Sequence, residues 1–315
     1  MKISELNSAE VTTIPLVVTA ATAKKTKKGN PYLTIDFFDG TDHISGNYWD
    51  WAGKNIPEKN TILDVTAQLT EYMGVPQLNI KSITTNTDMS LAAFTPTGGT
   101  NIEQAYKDAY ELLSTLSNDF LRDLSLEILT NLAPLWITVP GASTVHHAYT
   151  GGTLIHSLSV AKMAKVLAIE MNANVDLCIA GGFLHDLGKL YCYKINGIVC
   201  EMTDDGILQD HIFTGANFIS NFASSMVPDE KSEEILNLLV HIILSHHGKR
   251  EYGATVPPAL LEAHIVHEAD TLDAIAEQIR VASEKSQGKF TERIWTLDNM
   301  AQITTQYTAS LFKET

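Results

Sequence analysis

GGFLHDLGK (residues 181–189) sets a histidine beside an aspartate at the end of an apolar, helix-like run, just before Gly188. Adjacent helical residues point about 100° apart, so such a pair can send His185 toward one metal ion and the Asp186 carboxylate between two. The stretch does not stand alone. Upstream lies His156 in GGTLIHSLSV; downstream come His211 in HIFTG, His246 and His247 in LSHHGK, and Asp270 in HEADTLDA. Imidazoles and carboxylates hold divalent transition metals, and these seven residues are enough for two ions. His156, His185 and Asp270 make a shell for the first ion, His211, His246 and His247 are left for the second, and Asp186 bridges. A two-metal site points to phosphoester hydrolysis.

The flanking sequence makes this region an all-α domain. From Asn101 onward helical periodicity dominates, in IEQAYKDAYELLSTL, NDFLRDLSLEILTNL, GTLIHSLSVAKMAKVLAIEM, VDLCIAGGFLHDLG, HIFTGANFISNFASSM, KSEEILNLLVHIILSHHG and PALLEAHIVHEADTLDAIAEQIR. YCYKINGIVCEMTDDG, with its Asn196-Gly197 turn, reads instead as a small β-hairpin. His241, His264 and His267 fall outside the ligand pattern and are expected to be structural or to support the ligands.

Before Asn101 the period changes to two. IPLVVTAATA, PYLTIDFF, HISGNYWDW, ILDVTAQLT and QLNIKSI are five strand-like runs between Val11 and Thr85. Leu33, Ile35 and Phe37 share one face of the second, and Tyr32, Thr34, Asp36 and Phe38 the other. A five-stranded barrel with aromatic and amide side chains outward has the character of an OB-fold, which commonly stacks single-stranded bases on aromatics. Tyr32, Phe38 and Trp49 are the candidate stackers, with Gln77, Asn79 and Lys81 as polar neighbours; for any one aromatic, packing is the commoner role. Residues 86–100 carry no period, so the domains are set at 1–90 and 101–315 with a linker at 91–100.

Composition bounds the rest. With 44% hydrophobic and 19% charged residues the chain has the balance of a soluble globular protein. MKISELNSAE lacks a leader's apolar core and no uninterrupted apolar run approaches a membrane span, so a cytoplasmic location without a membrane partner is expected. Three cysteines without zinc or redox spacing read as reduced and structural. The net charge of −15 argues against a polyanion partner, yet it is uneven: residues 1–95 hold 8 Lys+Arg against 10 Asp+Glu, or −2, leaving −13 for the remainder. Lys24, Lys25, Lys27 and Lys28 form a basic cluster in the first part, which is either a binding feature or a solvated hairpin tip. No Walker A, G-x-G-x-x-G or G-x-S-x-G element occurs.

The ordered series H…HD…H…HH…D in these contexts is similar to that of the HD-domain metal-dependent phosphohydrolases. Taken with the N-terminal barrel, HHAYTGG, HDLGK, SHHGKREYG, Pro257-Pro258 and TERIWTLDN, nearly the whole chain resembles the YhaM-type 3′-to-5′ exoribonucleases. The resemblance implies an OB-fold barrel followed by an all-α HD-domain bundle, Mn²⁺-type activation, and release of nucleoside monophosphates from single-stranded RNA, with single-stranded DNA as a variant and a homo-oligomer as one possible assembly. A mixed histidine and carboxylate shell suits Mn²⁺ or Fe²⁺ better than Mg²⁺, with Co²⁺ a further option. Lys189 and Lys249, each just past a ligand, are candidates to contact a phosphate or to cap a helix C-terminus. His146 and His147, with Tyr149, are candidates to line the cleft and donate to the leaving 3′ oxygen, or are structural. Two alternatives stand beside this: a phosphohydrolase of nucleotides or cyclic nucleotides, and a non-catalytic single-stranded nucleic-acid-binding protein.

Overall fold

The computed structural model describes residues 1–94, 101–142, 147–196 and 199–312. His146, residues 95–100 of the expected linker and Gly197 of the expected hairpin turn lie outside them. Two compact units form, Met1–Thr97 with Ile195–Cys200, and Gly98–Lys194 with Glu201–Thr315.

In the first unit, β1 (Val11–Lys25), β2 (Pro31–Phe38), β3 (His43–Tyr48), β4 (Ile62–Tyr72) and β5 (Val75–Thr85) close into a barrel in the order β1-β2-β3-β5-β4. Only the β3–β5 pair is parallel. Closure depends on the length of β1, whose first half pairs with β4 and whose second half pairs with β2 across a bulge between Val18 and Ala20. Alternation then sorts the faces: Leu33, Ile35 and Phe37 turn inward with Val65, Leu78 and Ile80, and all are buried. Gly46 is what lets β3 lie against β5, because a Cβ there would sit 2.8 Å from Ile80 Cδ1. This topology is consistent with an OB-fold.

The second unit is helical: α1 (Ile102–Ser114), α2 (Asp119–Asn131), a short α3 (Ala133–Trp136), α4 (Gly152–Met171), α5 (Val175–Leu184), a short α6 (Lys189–Cys192), α7 (Asp204–Ala223), α8 (Glu230–Ser245), α9 (Leu261–Lys285) and α10 (Thr305–Leu311). The hairpin expected after Tyr191 is present as β6 (Tyr193–Asn196) and β7 (Val199–Met202). A second hairpin, β8 (Phe290–Ile294) with β9 (Met300–Ile303), was not signalled by the sequence pattern. Asn101, Asn118, Asn174, Thr203 and Asp229 each accept the amide N–H three residues on, which fixes where α1, α2, α5, α7 and α8 begin.

The core sits around α5, in which every residue from Leu177 to Leu184 is buried. A Cβ on Gly182 would lie 3.0 Å from Ala161 Cα, so the glycine permits a close crossing of α5 over α4. That crossing brings the end of α5 beside the first turns of α4. By length and composition alone, α4 is apolar enough to cross a bilayer, although Lys162, Lys165 and Glu170 interrupt it. Here it packs against α1, α5 and α9 as a core helix, with Leu154, Val160 and Ala164 buried.

Candidate metal centre

Five elements deliver the seven residues to one place. His156 comes from the first turns of α4, His185 and Asp186 from the end of α5, His211 from a kink in α7, His246 and His247 from the end of α8, and Asp270 from the middle of α9. They form three interlocking groups whose ligand atoms lie within 4.8 Å of one another: His156, His185 and Asp270; His185, Asp186 and His246; His211, His246 and His247. Asp186 joins them. Its Oδ2 lies 3.3 Å from Nε2 of both His156 and His185, while Oδ1 lies 3.5 Å from His211 Nε2 and 3.7 Å from His246 Nε2. Asp270 Oδ1 is 3.1 Å from His156 Nε2.

All five imidazoles are held in the same way. Nδ1 bonds to an oxygen of the protein: Asp273 for His156, Gly182 O for His185, Asp210 for His211, Ile243 O for His246 and Tyr252 O for His247. A carbonyl or carboxylate oxygen only accepts, so each Nδ1 carries a proton and each Nε2 is turned toward the site. Locking one ring nitrogen to orient the other is the arrangement that metal-ligating histidines use.

The donor set fits divalent cations. Asp186 Oδ1, His211 Nε2 and His246 Nε2 are buried without a hydrogen-bond partner, which in a settled interior is costly unless an ion satisfies them. Burial would lift the Asp186 pKa, but Lys189 and His185 outweigh it and hold the carboxylate well below its usual range. Burial would likewise lower His156, yet Asp186, Asp270 and Asp273 hold it well above the ordinary imidazole value. Burial keeps His246 well below that value, and His247 below it. Both rings are therefore biased toward the neutral form that binds metal.

Lys189, at the N-terminal end of α6, is buried with Nζ 2.6 Å from Asp186 Oδ2. Its charge is paired with the Asp186 carboxylate. Lys249 is exposed, 3.5 Å from Glu251 and over the Tyr252 ring. His147 requires a correction: it is buried rather than lining a cleft, and both ring nitrogens are engaged, Nε2 with Asp273 Oδ2 and Nδ1 with the Tyr149 hydroxyl, each at 2.7 Å. A ring so occupied braces its neighbours.

Two functional candidates escaped the sequence reading. Asp273 accepts from both His147 and His156, and Asp210 from His211. Each carried a faint signal, since Asp273 is one helical turn from Asp270 and Asp210 directly precedes a ligand. Of the other histidines, His267 donates Nδ1–H to His246 O and His241 Nε2 accepts from the Ala259 amide.

The glycines after HDL and SHH are steric requirements. A Cβ on Gly188 would lie 1.9 Å from His211 O, and Gly248, at φ +75°, would place one 2.5 Å from the His267 ring. These glycines let the Asp186 and His246 turns close on the elements that carry or support other ligands.

On the barrel, the outer face of β2, β3 and β5 carries a polar ladder: Thr34 donates to Asn47, and Asn47 donates to Gln77. Tyr32 and Trp49 stack on each other at 4.5 Å with Trp49 half exposed, and Lys81 is exposed. Phe38 is the exception among the expected stackers. It is buried, tilted against the His43 ring and paired in register with Val17, which belongs to a small cluster with Ile62 and Phe94 on the outside of the barrel. Strand alternation put it outward correctly, but that part of the outer face is covered.

Comparison with known families gives one match that spans the candidate ligands. Residues 153–275 match the HD domain. His156, His185, Asp186, His211, His246, His247, Asp270 and Asp273 all lie inside the matched segment, whereas His147 and Tyr149 precede it. The HD domain, with these histidine and aspartate clusters, supports a metal-dependent phosphohydrolase. Among solved structures, a domain of replication protein A from Methanococcus maripaludis aligns at 23% identity, covering 27% of this chain and 92% of its own, with a TM-score of 0.24.

Proposed function

We propose that this chain is a divalent-metal-dependent 3′-to-5′ exonuclease that removes nucleoside monophosphates from single-stranded RNA, with single-stranded DNA as a second polymer. The observation that carries the reading is the Asp186 carboxylate, whose two oxygens face two different histidine groups, in a chain that also has a barrel with a stacked aromatic pair on its outer face. His156, His185 and Asp270 would hold one ion and His211, His246 and His247 the other, with Mn²⁺ or Fe²⁺ suiting this mixed shell. Bound there, such ions supply Lewis-acid polarisation of a phosphoryl oxygen and acidify an attacking water.

The chain's own residues supply orientation. Lys189 pins Asp186 Oδ2, Asp273 and Asp210 fix the rings of His156 and His211, and backbone carbonyls fix the other three. Tyr32 and Trp49 offer flat surface to bases, and Lys81 offers charge to the backbone. One observation favours a second reading, hydrolysis of nucleotides or cyclic nucleotides with a regulatory barrel: residues 96–315 carry 14 Lys+Arg against 27 Asp+Glu, and a polyanion groove is ordinarily basic.

The deciding experiment incubates the chain and Mn²⁺ with single-stranded RNA labelled at its 5′ end, with Asp186→Ala alongside. A ladder shortening from the 3′ end, absent in the variant, is expected. RNA left intact while mononucleotides or cyclic nucleotides are hydrolysed would establish the second reading.

A further inference from the structure

Asp210 interrupts α7 with φ 62° and ψ 160°, a backbone conformation essentially confined to glycine. Burial does not hold it there, since its side chain is 60% exposed. The local contacts give the reason. In this conformation Oδ1 reaches back to accept both the backbone N–H and the ring Nδ1–H of the next residue, His211, each at 2.5 Å, while the Asp210 carbonyl accepts from the Thr214 hydroxyl. His211 Nε2 is buried without a hydrogen-bond partner, 3.5 Å from Asp186 Oδ1. A histidine at a helix kink can rotate about its side-chain bonds. With Nδ1 clamped by Asp210, one orientation remains, and it turns Nε2 toward the bridging carboxylate.

We propose that Asp210 is a positioning residue, held in a strained backbone so that His211 is preset as a ligand of one ion only. This rests on the two-ion reading of the site and deepens it. The restriction to one ion follows from the grouping: among the described residues the histidines that group with His211 are His246 and His247, and the imidazole on the far side, His156, is fixed by a different carboxylate on a different helix, Asp273 of α9. Strain at a functional site persists when the surrounding structure over-determines it, and here two bonds to one oxygen do so.

The test titrates Mn²⁺ into the full chain, by equilibrium dialysis with metal counting, for the unaltered protein and for Asp210→Gly, Asp210→Ala and Asp210→Asn. Melting in chelator accompanies each. The unaltered protein is expected to hold two ions. Glycine and alanine remove the carboxylate and should weaken one ion by about 10- to 100-fold, leaving the other unchanged. Asparagine keeps an acceptor oxygen and should stay within about 10-fold of the unaltered protein. In chelator Asp210→Gly should melt above Asp210→Ala, because only alanine keeps a Cβ in the strained region. Unchanged binding in Asp210→Gly overturns the proposal, as does equal weakening of both ions, or alanine melting at or above glycine. An unaltered protein that holds fewer than two ions overturns instead the reading on which the proposal stands.

Discussion

Asp273 Oδ2 lies 2.7 Å from Nδ1 of His156, the imidazole whose Nε2 faces both Asp186 and Asp270. The same oxygen takes His147 Nε2–H, and His147 Nδ1 in turn takes the Tyr149 hydroxyl. One carboxylate thus braces two buried rings. Asp273→Ala leaves two donors unpaired at a cost of about 1–3 kcal/mol each and should weaken one metal ion by about 10- to 100-fold. Asp273→Asn keeps an acceptor and should lose less of both. Denaturant melts in chelator and a Mn²⁺ titration read the two effects; unchanged metal affinity in the alanine variant would refute the bracing role.

Lys189 and Asp186 are a buried ion pair, with 11% and 2% of their side chains exposed. Breaking such a pair from one side strands the other charge, at about 3–5 kcal/mol. Lys189→Met should therefore destabilise the chain strongly in chelator. Divalent cations restore positive charge beside Asp186, so the deficit should shrink in Mn²⁺. Thermal melts of both proteins in both conditions decide this, and an equal deficit with and without metal would show that the pair is independent of the ions.

Much of this site was readable from the chain because metal ligands are costly chemical types in recognisable surroundings. His156, His185, Asp186, His211, His246, His247 and Asp270 stand in ordered motifs, and their ligand atoms do converge. Asp273 and Asp210 were not readable, since a carboxylate that orients a ligand has no motif of its own and depends on how α9 packs and where α7 kinks. His147 was misread for a related reason: residue type shows that a ring can donate, but only packing shows that both nitrogens are occupied. On the barrel, a period of two separated inside from outside along β2 correctly. It could not register that the outer face near Phe38 lies beside a cluster formed by a distant turn, Leu91–Phe94.

Phe38 and Trp49 should consequently respond in opposite ways. Phe38 is 5% exposed, so Phe38→Ala should cost about 3–5 kcal/mol of stability. Trp49 is 49% exposed and stacked on Tyr32, so Trp49→Ala should leave the melting temperature nearly unchanged. If the outer face binds single strands, each base stacked there contributes about 1–3 kcal/mol, and Trp49→Ala should weaken binding correspondingly. Fluorescence anisotropy with a labelled oligonucleotide reads the binding; undiminished affinity would remove this face from the substrate path.

Gly188 offers a test that leaves every polar group in place. Its φ is −60°, which any residue adopts, so an added methyl group acts through space alone. That methyl would fall 1.9 Å from His211 O and 2.7 Å from Gly215 N. α7 would have to move away from the turn that carries Asp186, taking His211 with it. Gly188→Ala should lower the melting temperature, since overpacking typically costs about 1–3 kcal/mol, and should weaken metal binding. A variant that binds metal normally would mean that this close approach is slack.

Cys178 gives the chain a dependence on alkaline pH that is separate from metal chemistry. Burial in α5 pushes its thiol up to about 12, and nearby Glu262 adds to the shift. In the unfolded chain a cysteine ionises near about 8.5. Between those values the folded state retains a proton that the unfolded state has released, so stability falls as pH rises. The contribution is fully present below the unfolded pKa and is lost as pH climbs toward the folded one. Cys178→Ala should therefore flatten the decline in stability above about pH 8.5, measured by denaturant melts at stepped pH. In the folded protein at mildly alkaline pH, iodoacetamide should label the half-buried Cys200 well before Cys178. Equal labelling of the two, or an unchanged alkaline slope in the alanine variant, would show that Cys178 opens to solvent far more readily than its burial in α5 allows.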